Sequence, residues 1–289
     1  MTTKLKKRGR RLNRSLGGDV LINSFLLIFG LFMALPMIYS ISSSLKPLDE
    51  LWVYPPRFLV NNPTGKNYAD LFSLLASSRI PFTKYIFNTV FVSVVGTFGH
   101  VVLASMCAYA LCKHKFRGRN VIFQVIVLSL MFNARVTEIP NFIIMAEIGW
   151  VDTLAALVIP AFGAPLGLYL MKQFMEQMVP NAMLEAARID GAGEYRIFWG
   201  IVMPMVKPAW LTLIIFEFQA LWNIGSSTYI YREDLKTLNY AMSQILASGV
   251  TRVGAASVAS VLMMVVPVLL FVFTQSNIVE TLATSGMKD

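Results

Sequence analysis

The residues in this sequence best equipped for chemistry lie inside apolar stretches. Asn133, Arg135, Glu138 and Asn141 surround Pro140 in one of them. Ionisable and amide side chains are costly at membrane depth, where they mark a water-filled path or a contact with a partner chain. Arg135 and Glu138 are three apart, close enough on a helix to pair with each other. A guanidinium also matches carboxylate geometry, so Arg135 is a candidate for attracting an acidic sugar. Pro140 lacks a backbone donor and loosens the helix around this cluster. A second polar group, Glu217, Gln219, Trp222 and Asn223, lies in another apolar stretch. Sugars stack on aromatic faces and bond to amides, while a tryptophan at such a position also serves as an interfacial anchor. Both readings stay open for Trp222.

Several chemistries are excluded. The sequence has no Gly-x-x-x-x-Gly-Lys-Ser/Thr phosphate loop, since Gly65-Lys66 is followed by Asn67. Neither a His-Glu-x-x-His zinc motif nor a Gly-x-Ser-x-Gly nucleophile elbow occurs. Cys107 and Cys112 are five apart, on different faces of a helix, and His100 and His114 are isolated. The expectation is a chain that is not an enzyme, with no metal or cofactor of its own.

The elements that must position these residues are membrane spans. With 56% hydrophobic and 14% charged residues, and a mean hydropathy of +0.60, the 289-residue chain departs from soluble composition. The net charge of +9 is gathered in short basic stretches without an aromatic-basic groove pattern, which argues against nucleic acid. Six segments are long and apolar enough to cross as helices: 20–44, 86–111, 121–144, 154–175, 203–222 and 254–274. The first is too long for a signal peptide. Lys4, Lys6, Lys7, Arg8, Arg10, Arg11 and Arg14 precede it, and Lys113, Lys115, Arg117 and Arg119 follow the second. The positive-inside rule then puts a basic tail, 1–19, and the carboxyl terminus in the cytoplasm, with residues 46–85 outside. Trp52, Tyr54, Trp150, Tyr229 and Tyr231 fall near the outer interface. The expected fold class is all-α, a polytopic membrane protein of about six transmembrane helices with its membrane domain over 20–289.

On the cytoplasmic side lies the unusual loop 180–208. Pro180 suits the first turn of a helix, and Leu184 to Ile189 continue it as far as Asp190-Gly191. Gly191 is free to take a positive φ, and Asp190 is expected to cap a second helix that carries Tyr195, Phe198, Ile201 and Val202 at helical spacing. Ala186 and Ala187 are small enough for close approach of a partner, and Glu185 and Arg188 supply charges that fix register. An amphipathic helix resting on lipid headgroups is the alternative.

Glu185-Ala186-Ala187, Asp190-Gly191-Ala192, Phe198, Ile201, Pro204 and Pro208 resemble the signature, or EAA, loop of binding-protein-dependent ABC importer permeases, with Met203 where that family usually has Leu. The resemblance is closest to the carbohydrate branch and its maltose-type six-span permease. Ser44-Leu45-Lys46-Pro47, Asn67-Tyr68, Asn88-Thr89, Tyr109-Ala110-Leu111 and Trp222-Asn223 look like that branch, and so does the cytoplasmic tail 275–289 with Gly286 and Lys288. Asn133-Ala134-Arg135 departs from the Pro-Gly pair common there. The resemblance implies a type I ABC importer permease in the bacterial inner membrane. It would take a sugar or oligosaccharide from an extracytoplasmic binding protein, by alternating access with a second permease. ATP and Mg would be bound by two partner ATPase subunits, coupled through Glu185, Ala186, Ala187, Arg188, Asp190, Gly191, Ala192 and Phe198. The same machine carrying a polyamine, phosphate or amino acid, or a passive channel or scaffold, are the alternatives.

Overall fold

The computed structural model describes residues 16–76, 80–132, 134–225, 227–247, 249 and 252–285, without the side chains of 16, 134, 135 and 276–285. Among these residues every regular element is helical. Helix α1 (Leu16–Ser44) begins earlier than expected and turns large apolar side chains such as Phe25, Phe29 and Phe32 outward. Its carboxyl-terminal end is tied down by the segment that follows. The Asn67 amide donates to the Ser44 and Lys46 carbonyls at 2.9 and 2.7 Å, and the buried Lys46 ammonium donates to the Arg57 carbonyl. Helices α2 (Leu48–Leu51) and α3 (Lys66–Ala76) complete this cap.

Helix α4 (Phe82–Lys113) runs for 32 residues and is the member around which the others gather. The expected single span over 121–144 is instead two helices, α5 (Arg119–Ser129) and α6 (Ala134–Glu147). The interruption is not at Pro140, which sits inside α6. After Ser129 the amides of Leu130, Met131 and Phe132 bond three residues back, to Val127, Leu128 and Ser129, so the helix tightens and stops. Helices α7 (Ala155–Phe162) and α8 (Pro165–Met178) form one span broken at Gly163-Ala164, where Pro165 cannot donate.

The loop 180–208 holds α9 (Asn181–Ile189), α10 (Glu194–Ile197), a π-helical turn Phe198–Val202 and α11 (Met203–Met205). It meets α12 (Lys207–Trp222) at a bend of 79°. Helix α13 (Leu238–Ala247) packs on α14 and α4, and α14 (Val253–Ser285) runs past the expected end at 274. By length and composition Gly17–Ser44, Phe82–Lys113, Ala155–Met178 and Val253–Gln275 can cross a membrane, with a fifth crossing if the bent pair counts as one span. The amino-terminal cations at 4–14, together with Gly286 and Lys288, lie outside the described residues.

Helices in lipid gain little from hydrophobic transfer and associate through close packing at small residues. Helix α4 packs on α7, α8 and α12 in this way. A Cβ at Gly96 would come within 2.4 Å of Leu221, and one at Gly99 within 2.1 Å of Phe162. At Gly167 of α8 a Cβ would sit 1.9 Å from Nε2 of the buried His100 of α4. Gly167→Ala is therefore expected to destabilise the chain by about 1–3 kcal/mol through overpacking. In detergent its thermal midpoint should fall, and the loss should largely disappear when the same change is made beside His100→Ala.

Candidate functional site

Helix α9 ends in a motif that satisfies its last carbonyls. Gly191, at φ +79°, donates to the Arg188 carbonyl, and Ala192 donates to that of Ala187, each at 3.0 Å. Asp190 thus closes α9 and does not cap the following helix as expected; Gly193 holds that position, with no side-chain cap. The chain turns back on itself and brings α10 under α9.

Both helices stand on a buried apolar foot. Leu184, Ile197, Phe198, Val202 and Val206 pack with Val101, Ala104, Ala108 and Tyr109 of α4 and with Met171, Met175 and Val179 around α8. Burial of each large apolar side chain contributes about 1.5–3 kcal/mol in an aqueous reference. Phe198, expected as a contact for a partner, is only 4% exposed, with its ring 5.5 Å from that of Tyr109. It anchors α10 and the π-helical turn to α4 from within the foot. Ala187 and Ala192 are likewise partly buried against the foot. Tyr195 does not share the buried face expected for it: it is 75% exposed. The outward face of α9 carries Glu185, Ala186, Arg188 and Ile189, the last of them 86% exposed.

Glu194, missed from the sequence, is the polar centre. One carboxylate oxygen accepts from Arg188 Nε at 2.7 Å, and the other accepts from the Tyr109 hydroxyl at 2.7 Å with His114 Nε2 at 3.5 Å. The Arg188 bond, then that of Tyr109, hold the Glu194 carboxyl below the usual range, and Glu194 raises Arg188 in turn. The only local signal was an opposite-charge pair on either side of a glycine turn. Lys113 Nζ donates to the Val179 carbonyl at 2.6 Å and to Asn181 Oδ1 at 3.1 Å, fixing the start of α9 to the end of α4. A groove of about 370 Å³ opens beside these groups, between Lys115 and Glu185.

Of the polar groups assigned to a solute path, Glu138, Asn141, Glu217, Gln219, Trp222 and Asn223 have described side chains. Asn133 and the Arg135 side chain lie outside the described residues. Glu138 accepts from the Thr228 hydroxyl at 2.7 Å, so α6 is fastened to the loop after α12, and Asn141 is exposed. That loop is held further by Asp152, whose carboxylate accepts the Tyr231 and Arg232 amides at 3.0 and 2.8 Å. Glu217 is half-buried, and Gln219 and Asn223 are exposed, with the Asn223 amide donating to the Gln219 carbonyl at 2.8 Å. Trp222 is neither an open sugar platform nor an interfacial anchor. It is 4% exposed, stacks on Phe218 at 5.7 Å and donates to the Met263 carbonyl of α14 at 3.1 Å. Among the described residues no cluster of His, Cys, Asp and Glu has metal-binding form.

Residues 100–283, which include α9, α10 and the foot beneath them, match the family described as binding-protein-dependent transport system inner membrane component. The chain belongs to that family. Permease relatives include the polygalacturonan/rhamnogalacturonan transport system permease protein YtcP of Bacillus subtilis, 31% identical over 216 residues, which cover 75% of this chain and 73% of that one. The diacetylchitobiose uptake system permease protein NgcG of Streptomyces coelicolor is 29% identical over 256 residues, 86% of this chain and 82% of the relative. A chain of a bacterial ABC transporter involved in the import of the acidic polysaccharide alginate shares the fold, with a TM-score of 0.75 and 23% identity over 91% of this chain and 98% of that one. The all-helical architecture is therefore that of an ABC importer permease, a multi-pass membrane protein. Within this permease the foot predicts a division of labour. Phe198→Ala should cost about 3–5 kcal/mol locally and expose Arg188 and Arg196 to trypsin, while Ile189→Ala should leave the cleavage pattern unchanged.

Proposed function

We propose that this chain is the transmembrane subunit of an ATP-driven importer for sugars or oligosaccharides, acidic ones included, and that α9 is the handle by which a separate ATPase moves it. The supporting observation is the placement of α9: Leu184 anchors it inward while Glu185, Ala186 and Ile189 face outward. In this reading Ala186 lets the wall of an ATPase cleft come close, Ile189 adds apolar contact, and Glu185 and Arg188 set the register. Phe198, Ala187 and Ala192 act from beneath, and Asp190-Gly191 shapes the tip.

The chain has no phosphate loop of its own, so two partner ATPase subunits would bind ATP and Mg and supply the hydrolysis. Their closure would draw this handle and that of a second permease together, tilting the two bundles from inward-open to outward-open. An extracytoplasmic binding protein would deliver the solute to the outer side, where the loop held by Asp152 and Glu138 presents Tyr231 and Arg232. Both termini would be cytoplasmic. Polygalacturonan and alginate, named for two similar proteins, are polymers of uronic acids, and this favours an acidic oligosaccharide over a polyamine, phosphate or amino acid. Any cargo role for Glu217, Asn141, Gln219 and Asn223 belongs to this proposal.

Glu185→Lys tests the handle. Reversing a charge at a close interface costs about 2–5 kcal/mol, roughly thirtyfold or more in affinity. The variant should insert in the membrane as before and lose its copurifying ATPase. Full retention of the ATPase would count against the reading. Calorimetry of the cognate binding protein with oligogalacturonate, and with spermidine and phosphate as rivals, decides the cargo.

A further inference from the structure

We infer that the Glu194 carboxylate is the joint that carries displacement of α9 directly into α4. The inference rests on the coupling role proposed for α9 and assigns the residue through which that role works.

The covalent route from α9 into the membrane is compliant at three places. Gly191 and Gly193 flank the turn after α9, a π-helical turn occupies Phe198–Val202, and a bend of 79° separates α11 from α12. Glycines lack the steric restriction that stiffens a turn, and π-turns are local departures from regular helix bonding. A pull on α9 transmitted only along the backbone would be spent in bending these points. The apolar foot resists separation and transmits compression, but hydrophobic contact is non-directional and adds no directional bond that fixes the orientation of α9 against α4.

Glu194 supplies what the foot lacks. It is the first residue of α10, and it bonds backward across the turn to Arg188 of α9 and upward to Tyr109 of α4, both at 2.7 Å. Hydrogen bonds to a charged group are short, directional and stronger than neutral ones. The three residues close a triangle from α9 to α10 to α4 that bypasses every soft point. The receiving end of the triangle is firm. Tyr109 is 6% exposed, wedged against Phe198 and the edge of His114, and belongs to a 32-residue helix that packs on α7, α8 and α12. Lys113, gripping Val179 and Asn181, holds the other end of α9. Movement of the handle then becomes movement of the bundle. Glu194 is on this account a positioning residue, with the ATPase contact left to the outer face of α9.

The test uses the assembled transporter in lipid nanodiscs, with Cys107→Ser and Cys112→Ser, and spin labels at Ala182→Cys on α9 and Phe98→Cys on the exposed face of α4. Electron-electron resonance reads the distance between them without nucleotide and after trapping with ATP, Mg and vanadate. With Glu194 intact the distance should stay constant on trapping. In Glu194→Gln, and in Tyr109→Phe, where shape and charge are kept and only the hydroxyl bond is lost, trapping should shift or broaden it by about 2 Å or more. A shift in the intact chain, or a constant distance in Tyr109→Phe, overturns the inference. If Glu194→Gln does not assemble, Tyr109→Phe decides alone. Failure of the intact chain to hold any ATPase would defeat the handle itself and this inference with it, whereas an ATPase-bound chain whose spacing shifts defeats the joint only.

Discussion

Burial of Leu184, Ile197, Phe198 and Val202 against α4 and α8 is the contact on which the rest of the molecule depends. A nine-residue helix in water has little stability of its own, because nucleation is costly and few bonds follow it. Helix α9 persists because one side of it is fastened to a membrane-spanning bundle. That attachment leaves the opposite side free, and Glu185, Ala186 and Ile189 are exposed for the same reason that Leu184 is not. Anchor and open face are two sides of one short helix.

The bundle beneath is suited to moving as a body. Helix α4 is continuous for 32 residues, and the glycines at 96, 99 and 167 bring Leu221, Phe162 and His100 into direct contact across its neighbours. Close-packed interiors transmit displacement and do not absorb it. The spans around α4 are interrupted, at Ser129–Ala134, at Gly163-Ala164 and at the bend before α12. Such interruptions are sites where a bundle can change shape while its packed units stay intact. The loop after α12 is clamped by Asp152, Glu138, Asn88 and Thr89.

Features set by neighbouring residues were legible in the sequence. Pro180, the apolar Leu184, and Gly191 at its positive φ announce a short helix and a turn through local preferences alone. The crossing segments follow from apolar length, apart from 121–144, where a switch to tighter bonding after Ser129 divides the stretch without a compositional mark. What remained hidden depends on distant partners. Phe198 faces inward because Tyr109, 89 positions earlier, waits there, and Glu194 bonds the same Tyr109 hydroxyl across 85 positions. Trp222 is buried because α14 packs on α12, and its ring nitrogen finds the Met263 carbonyl 41 residues later. The spacing of Tyr195 and Phe198 suggested a shared face, but the apolar stripe follows Ile197, Phe198 and Val202 through a π-turn, and Tyr195 points to solvent.

The central claim is that the handle is cytosolic and is covered by a nucleotide-hydrolysing partner. Its most direct measurement is labelling of Ile189→Cys, in a chain with Cys107→Ser and Cys112→Ser, by a membrane-impermeant maleimide. Sealed right-side-out vesicles should show no labelling and inverted vesicles strong labelling, which bound ATPase should suppress. Labelling from the outside, or labelling in inverted vesicles that is indifferent to the ATPase, would contradict the account.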